Sequence, residues 1–262
     1  MDLESLERTA VRAAYRSCEV LRTRYGKLSS VDKKGPTDLV TDADFASETE
    51  IVATIRAAFP DHAIVAEEGG IHSGSADWRW LVDPLDGTVN YAHQVPFFAV
   101  SIACVQGDEV RLGVVLNPLS GELFTARAGG GAQLNGQPIH VSPETRVSES
   151  LLATGFPYDM REPGFKSLTA RFLRCLRAAR GVRRLGSAAL DLCYVACGRF
   201  AGFWENWLQP WDSAAGILIV REAGGRVTDF SNRPVGAEAR EVLATNGGIH
   251  SEMLAFMEVG DS

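Results

Sequence analysis

The sequence predicts an α+β protein built from packed layers of helix and sheet, and three observations carry that expectation. Strand-like apolar runs cluster between about 63 and 128, helices and strands interleave after about 142, and no linker, repeat or low-complexity tract divides the 262 residues. Strands that cluster first and then alternate with helices argue against one doubly wound sheet. With 45% hydrophobic residues the chain can bury a substantial core. One compact unit of two lobes, 1–145 and 146–262, is expected, with a site between them, where pockets tend to lie.

Residues 3–25 read as an amphipathic helix, with Leu3, Leu6, Ala10, Ala13, Ala14, Ser17 and Leu21 as its small apolar stripe. A polar Gly/Pro loop follows at 33–38, then a second helix at 42–59, stopped by Pro60. Strands are expected at about 63–66, 78–83, 97–106, 110–117 and 122–128, with hairpin signals at Gly107-Asp108 and Asn135-Gly136. Gly129-Gly130-Gly131 lacks the strand-to-helix setting of a dinucleotide loop and reads as a turn or bulge. In the second half, helices are expected at 165–179, 187–197, 211–223 and 248–257. Short strands fall at 182–185, 200–204, 226–228 and 242–244.

The formal net charge of -7 argues against a dedicated nucleic-acid binder, which usually carries a basic face. No apolar run approaches the roughly 18 residues of a membrane span. The acidic start MDLESLERTA lacks a signal-peptide core, which leads us to expect a cytoplasmic protein. Cys18, Cys104, Cys175, Cys193 and Cys197 are odd in number and mostly in apolar surroundings. They read as small buried hydrophobes, since no histidine or further cysteine lies near the Cys193/Cys197 pair to complete a zinc set. His93 suits a positioning or surface role better than that of a general base.

Chemistry concentrates in WLVDPLDGTVNY at 80–91. An apolar run there ends in Asp83 and Asp86, and Pro84 and Gly87 forbid its simple continuation, so two carboxylates are presented at a strand end that turns sharply. Acids at such a turn can hold a hard divalent cation, or can simply form a solvated Asp-rich turn. Upstream, AIVA at 63–66 runs into Glu67-Glu68-Gly69-Gly70. Downstream, Asp212 in PWDSAAG sits where a helix begins, as a cap or a ligand. Asp44 stands three residues after Thr41 in capping-box spacing. Converging carboxylates repel one another, so a bound cation would both stabilise such a site and make an acidic protein hospitable to an anionic substrate.

VDPLDGTVNY, AEEGG and PWDSAAG, in a chain that also carries KKGPTDLVTDAD at 33–44 and RRLGSAALDLCYVACGRFAGFWE at 183–205, resemble the inositol monophosphatase family of metal-dependent, lithium-sensitive phosphomonoesterases. The resemblance spans nearly the whole chain and is particularly close to bacterial members. It implies the five-layer αβαβα sugar-phosphatase fold, two to three Mg2+ per site, a homodimer and a small phosphorylated polyol or sugar as substrate.

Carried over residue by residue, the resemblance implies that Glu67, Asp83 and the Leu85 carbonyl hold one magnesium. Asp83, Asp86 and Asp212 would hold a second, and Glu67 would approach a third through water. Thr88 matches the threonine that orients the nucleophilic water, and Asp44 the acid that bonds it and helps to accept the proton. Gly87 and Thr88 would offer backbone N–H groups to the phosphate. Gly186, Ser187 and Ala188 match a turn touching the substrate ring, or else merely cap the next helix. Glu205 matches a carboxylate that bonds substrate hydroxyls, and Asp86 and Asp212 would share in substrate contact. Gln209 replaces a histidine of animal members, and Lys33 matches a loop lysine near the third metal. Histidinol phosphate, fructose-1,6-bisphosphate and 3′-phosphoadenosine 5′-phosphate remain alternative substrates. A reading of another class is a regulatory protein binding RNA or a transcription component.

Overall fold

The structure, a computed structural model, describes residues 2–27, 31–33, 39–72, 74–157 and 165–258. Helix α1 (Leu3–Arg24) starts at Asp2, whose carboxylate accepts the Glu4 and Ser5 amides. Leu6, Ala10, Ala13, Ala14, Cys18 and Leu21 form its fully buried stripe. The ribbon of β1 (Val31–Lys33) and β2 (Leu39–Thr41) leads into α2 (Asp42–Ala58), which opens with the Thr41/Asp44 capping box. The strands that follow are β3 (His62–Ala66), β4 (Gly70–His72) and β5 (Ser75–Asp86), then, past the short helix α3 (Thr88–Ala92), β6 (Ala99–Gln106), β7 (Glu109–Leu116), β8 (Leu123–Arg127), β9 (Ala132–Leu134) and β10 (Gln137–Pro138). They form an eight-stranded sheet in the order β10-β9-β8-β7-β6-β5-β3-β4.

The second lobe comprises β11 (Leu151–Thr154), α4 (Phe165–Ala178), β12 (Gly181–Arg183), α5 (Ala188–Ala196), β13 (Gly202–Asn206), α6 (Pro210–Glu222), β14 (Arg226–Thr228), β15 (Glu241–Thr245) and α7 (His250–Met257). Its strands form a five-stranded sheet in the order β12-β11-β13-β15-β14. Helices α1 and α2 cover the outer face of the large sheet, while α5 and α6 lie between the two sheets and touch both. On the far side, α4 and α7 pack against each other, and their side chains share a core with the small sheet. The order is helix, sheet, helix, sheet, helix, as expected. The largest core runs from Leu81 and Val115 of the large sheet through Leu192 and Ile217 to Phe203 and Val242 of the small one, so the lobes share one interior.

Several details differ from the sequence expectations: the short strands β1, β2 and β4 were not among the expected elements, and β12 and β13 are shifted by one or two residues. The strand expected to stop at Asp83 continues to Asp86: Asp83 pairs with Ser101 and Asp86 with Ala99, so β5 carries an extra residue in a bulge at Pro84-Leu85. A bulge tolerates a proline that has no ladder donor to give. Strand β11 was not anticipated, because its short apolar run LLAT is too brief for periodicity to identify. The terminal helix begins at His250, two residues later than expected.

The hairpin at Gly107-Asp108 and the turn at Asn135-Gly136 both stand as expected. The glycine triplet is a turn whose Gly129 and Gly131 amides, each at 2.8 Å, are held by Glu222. The loop residues 34–38 lie outside the described residues, as does the Lys33 side chain. No disulfide forms among the described residues, and four of the five cysteines are buried. His93 is exposed. No described helix is long and apolar enough to cross a membrane.

Candidate active site

The bulge of β5 sets the geometry. It breaks the β5–β6 register between Asp83 and Asp86, so that both carboxylates are presented while the backbone turns into α3. Gly87 makes that turn in the left-handed region, at φ 95°. A Cβ there would also crowd the Gly186 and Phe97 carbonyl oxygens, at 3.1 and 3.2 Å. Beside the bulge, β3 runs parallel to β5 with Ala66 opposite Val82, and the Glu67 amide donates to the Val82 carbonyl. Glu67 therefore leaves its strand next to Asp83. From the other lobe, Asp212 enters in the first turn of α6.

A cavity of about 110 Å3 lies where these elements meet, lined by Glu67, Asp83, Leu85, Asp86, Gly87, Thr88, Gly186, Ser187, Ala188, Glu205 and Asp212. Every residue expected to hold metal or substrate is among them. Asp44 stands one step behind: its Oδ1 accepts the Thr88 hydroxyl at 3.0 Å, and its Oδ2 accepts the Thr41 amide and hydroxyl at 2.8 and 2.6 Å. The cap and the contact to Thr88 thus use different oxygens of one carboxylate. Thr88 Oγ1 also lies 3.0 Å from the Leu85 carbonyl.

Asp212 likewise caps its helix, its Oδ2 accepting the Gln209 amide at 2.7 Å, while still lining the cavity. Ser187 is the N-cap of α5 and also donates to Asp86 Oδ2 at 2.6 Å; the Ala189 amide reaches the same oxygen at 2.8 Å. Asp86 therefore ties the lobes together. The Gln209 side chain accepts from Arg240 at 3.3 Å.

Burial pushes the Asp83 carboxyl well above its ordinary range, with Glu67, Asp86 and Asp212 adding repulsion and the Leu85 amide opposing. Asp212 is raised by burial and then by Asp86. Burial moves Asp86 up to about 6 against the hydrogen bonds from Ser187 and Ala189, and Asp44 to about 6 against those from Thr41 and Thr88. Glu205 rises to about 8, through burial first and then Asp86, with Arg184 opposing.

Hard oxygen donors that repel one another suit a hard divalent cation. Among the described residues no group of three or more His, Cys, Asp or Glu side chains stands close enough to cage an ion unaided. The Leu85 carbonyl, water and a phosphate would have to complete the shell, in keeping with magnesium's habit of retaining water and using few carboxylates.

Sequence reasoning missed Gly155, Phe156, Arg184, Asp191 and Leu208, which also line the cavity. A Cβ on Gly155 would fall 1.9 Å from Glu205 Oε2, so the glycine makes room for that carboxylate. Asp191 is fully buried with Oδ1 unpartnered. Its signal was available: it is the one charged residue inside the apolar helix AALDLCYVA.

The sequence profile described as the inositol monophosphatase family matches residues 2–257. An inositol-1-monophosphatase of Synechocystis is 44% identical over 255 residues, covering 96% of this chain and 88% of that protein. The Nus factor SuhB of Pseudomonas aeruginosa is 43% identical, covering 95% and 94% of the two chains. Among solved structures, the extragenic suppressor protein suhB of Bartonella henselae superposes with a TM-score of 0.92 at 39% identity, covering 97% of this chain and 99% of that one.

Proposed function

The chain belongs to the inositol monophosphatase family, which makes it a metal-dependent phosphoric monoester hydrolase, and from that premise we propose that it hydrolyses inositol monophosphate or a related small polyol phosphate with Mg2+. The observation that supports this reading best is the meeting of Glu67, Asp83, Asp86 and Asp212, from three separate stretches of sequence, around one cavity in which Glu67, Asp86 and Asp212 raise the proton affinity of Asp83, and Asp86 and Glu67 that of Asp212. Glu67, Asp83 and the Leu85 carbonyl would hold one cation and Asp83, Asp86 and Asp212 a second, with Glu67 reaching a third through water. Bound there, divalent cations supply Lewis-acid polarisation of the phosphoryl oxygens and lower the pKa of water.

The protein's own part is orientation and proton handling. Thr88 has one hydroxyl hydrogen, directed at Asp44 Oδ1 and the Leu85 carbonyl, each 3.0 Å away. Its lone pairs are then left to accept a hydrogen bond from the attacking water. As the water oxygen bonds to phosphorus, its proton passes to Thr88 Oγ1 while the threonine proton moves to Asp44 Oδ1. The ester P–O bond breaks, the leaving alkoxide takes a proton from solvent water, and the proton held on Asp44 is later returned to solvent. The raised proton affinity of Asp44 suits a group that accepts a proton and later releases it. Gly87 and Thr88 amides would face the phosphate, and Glu205 and the Gly186–Ser187–Ala188 turn the polyol.

The test is phosphate release from inositol 1-phosphate, histidinol phosphate, fructose-1,6-bisphosphate and 3′-phosphoadenosine 5′-phosphate, with and without Mg2+. Fastest magnesium-dependent turnover of inositol 1-phosphate is expected. Preference for another ester replaces the substrate, and no turnover of any overturns the reading. A homodimer, inhibition by lithium and a cytoplasmic location complete the proposal. Sedimentation, lithium titration of the assay and cell fractionation check them in turn. The Nus factor name of the Pseudomonas relative favours a second, transcription-linked role alongside catalysis. Co-purification with a transcription complex would reveal it.

A further inference from the structure

Three polar side chains in the first half of α2, Asp44, Ser47 and Glu48, are buried, with 1%, 0% and 6% exposure. Their spacing of three and four residues places them on one face of the helix. Asp44 meets Thr88, as described above. Ser47 and Glu48 reach the two other points at which the backbone leaves the sheet ladder to present a carboxylate. Ser47 Oγ donates to the Pro84 carbonyl at 2.8 Å, inside the bulge between Asp83 and Leu85. Having spent its hydrogen there, Ser47 accepts from Ser17 of α1 at 2.5 Å. Glu48 Oε2 accepts the Glu68 amide at 2.8 Å, one residue beyond Glu67.

Gly69 is shaped to this contact, since a Cβ there would lie 2.5 Å from Glu48 Oε1. A bulged carbonyl and a turn amide have no strand partner, and buried backbone groups require one. The helix face supplies it at both places.

We propose that Ser47 and Glu48 are positioning residues of the cation site, holding Asp83 and Leu85 through the Pro84 carbonyl and Glu67 through the Glu68 amide. Neither side chain lines the cavity. The inference rests on the cation-dependent reading above and assigns α2 the task of setting cation affinity. Partners that orient metal ligands typically account for about 10–100-fold in affinity.

Calorimetric titration of the full chain with Mg2+ or Mn2+ alone, beside the cation half-saturation of phosphate release, tests it. Glu48→Ala should weaken cation binding by about tenfold or more. Glu48→Gln, whose amide oxygen can still accept the Glu68 N–H, should bind within about threefold of the parent. Gly69→Ala keeps the carboxylate but crowds it away from the amide, and should reproduce the Glu48→Ala shift even if Glu48→Ala folds poorly. A lower melting temperature with unchanged cation affinity in Glu48→Ala and Gly69→Ala overturns the proposal, as does equal weakening in Glu48→Gln and Glu48→Ala. Such results would leave phosphatase activity of the parent standing. A parent chain that binds no cation overturns both readings.

Discussion

The two sides of the cavity are built differently. On the β5 side the acids are held by hydrogen bonds from neighbouring groups: Asp83 by the Leu85 amide, Asp86 by Ser187 and Ala189, Asp212 by Gln209, and Asp44 by Thr41 and Thr88. On the β13 side, Asp191 keeps a buried oxygen without a partner, and Arg184 opposes the crowding of acids around Asp191 and Glu205. Acids held in place suit what every substrate of a phosphomonoesterase shares, a phosphate and its cations. Buried polar groups short of partners cost stability until a ligand supplies them, and a site of that kind rejects ligands lacking the matching hydroxyl. The first side should therefore set the reaction and the second the choice of substrate.

The comparison breaks most sharply at Asp83. Asp83→Asn should lower phosphate release on the order of 10^3-fold for every ester in a substrate panel, because the charge proposed to hold both cations is lost. The same change removes a buried carboxylate repelled by three others, so the melting temperature in chelator should rise. Normal turnover by the purified variant would remove Asp83 from the reaction. Thr88→Ala comes next, at about 100-fold, the lower range for loss of a proton-handling group. Thr88→Ser, which retains the hydroxyl facing Asp44 Oδ1, should recover most of the rate. Equal loss in both variants would reduce Thr88 to a packing role.

The same division explains what the sequence disclosed. Asp83, Asp86 and Thr88 lie within one short stretch whose Pro84 and Gly87 announce a turn, and the order of AEEGG, VDPLDGTVNY and PWDSAAG identifies their distant partners. Local rules also placed the caps at Thr41/Asp44 and at Asp212. They could not say that one carboxylate serves as cap and site member together, because that depends on which oxygen faces which neighbour. Gly155, Arg184 and Asp191 escaped for a related reason. Gly155 follows a strand too short to detect, and its need to be glycine comes from Glu205, fifty residues away. Ser47 and Glu48 look like ordinary helix residues until the bulge and the Glu67 turn are seen against them.

Glu205 tests the substrate-selecting side. Glu205→Gln should raise KM for a polyol phosphate about tenfold, within the range for one missing hydrogen-bond partner. It should leave kcat/KM for p-nitrophenyl phosphate, an ester without hydroxyls, within about threefold. A uniform loss across both esters would place Glu205 with the β5 acids and erase the distinction.

The smallest expected effect is on stability. The Glu205 carboxyl is raised to about 8 in the folded protein, chiefly by burial. Its favourable contribution is therefore complete below the ordinary carboxylate range and is lost as pH rises through about 8. Asp83 and Asp212 are raised as well, so in chelator the melting temperature should fall between pH 6.5 and 8.5. Below that window His250 opposes the trend: burial holds its ring neutral, with a pKa near about 4, so its contribution is lost on acidification. Saturating Mg2+ should relieve the part due to the β5 acids, whose charges it neutralises. A residual decline should remain and shrink in Glu205→Gln, since that carboxylate is the one proposed to face the substrate's hydroxyls, while Asp191, also raised chiefly by burial, keeps part of it. If Mg2+ abolishes the whole slope in the parent protein, Glu205 shares the cation, and the two sides of the cavity form one electrostatic unit.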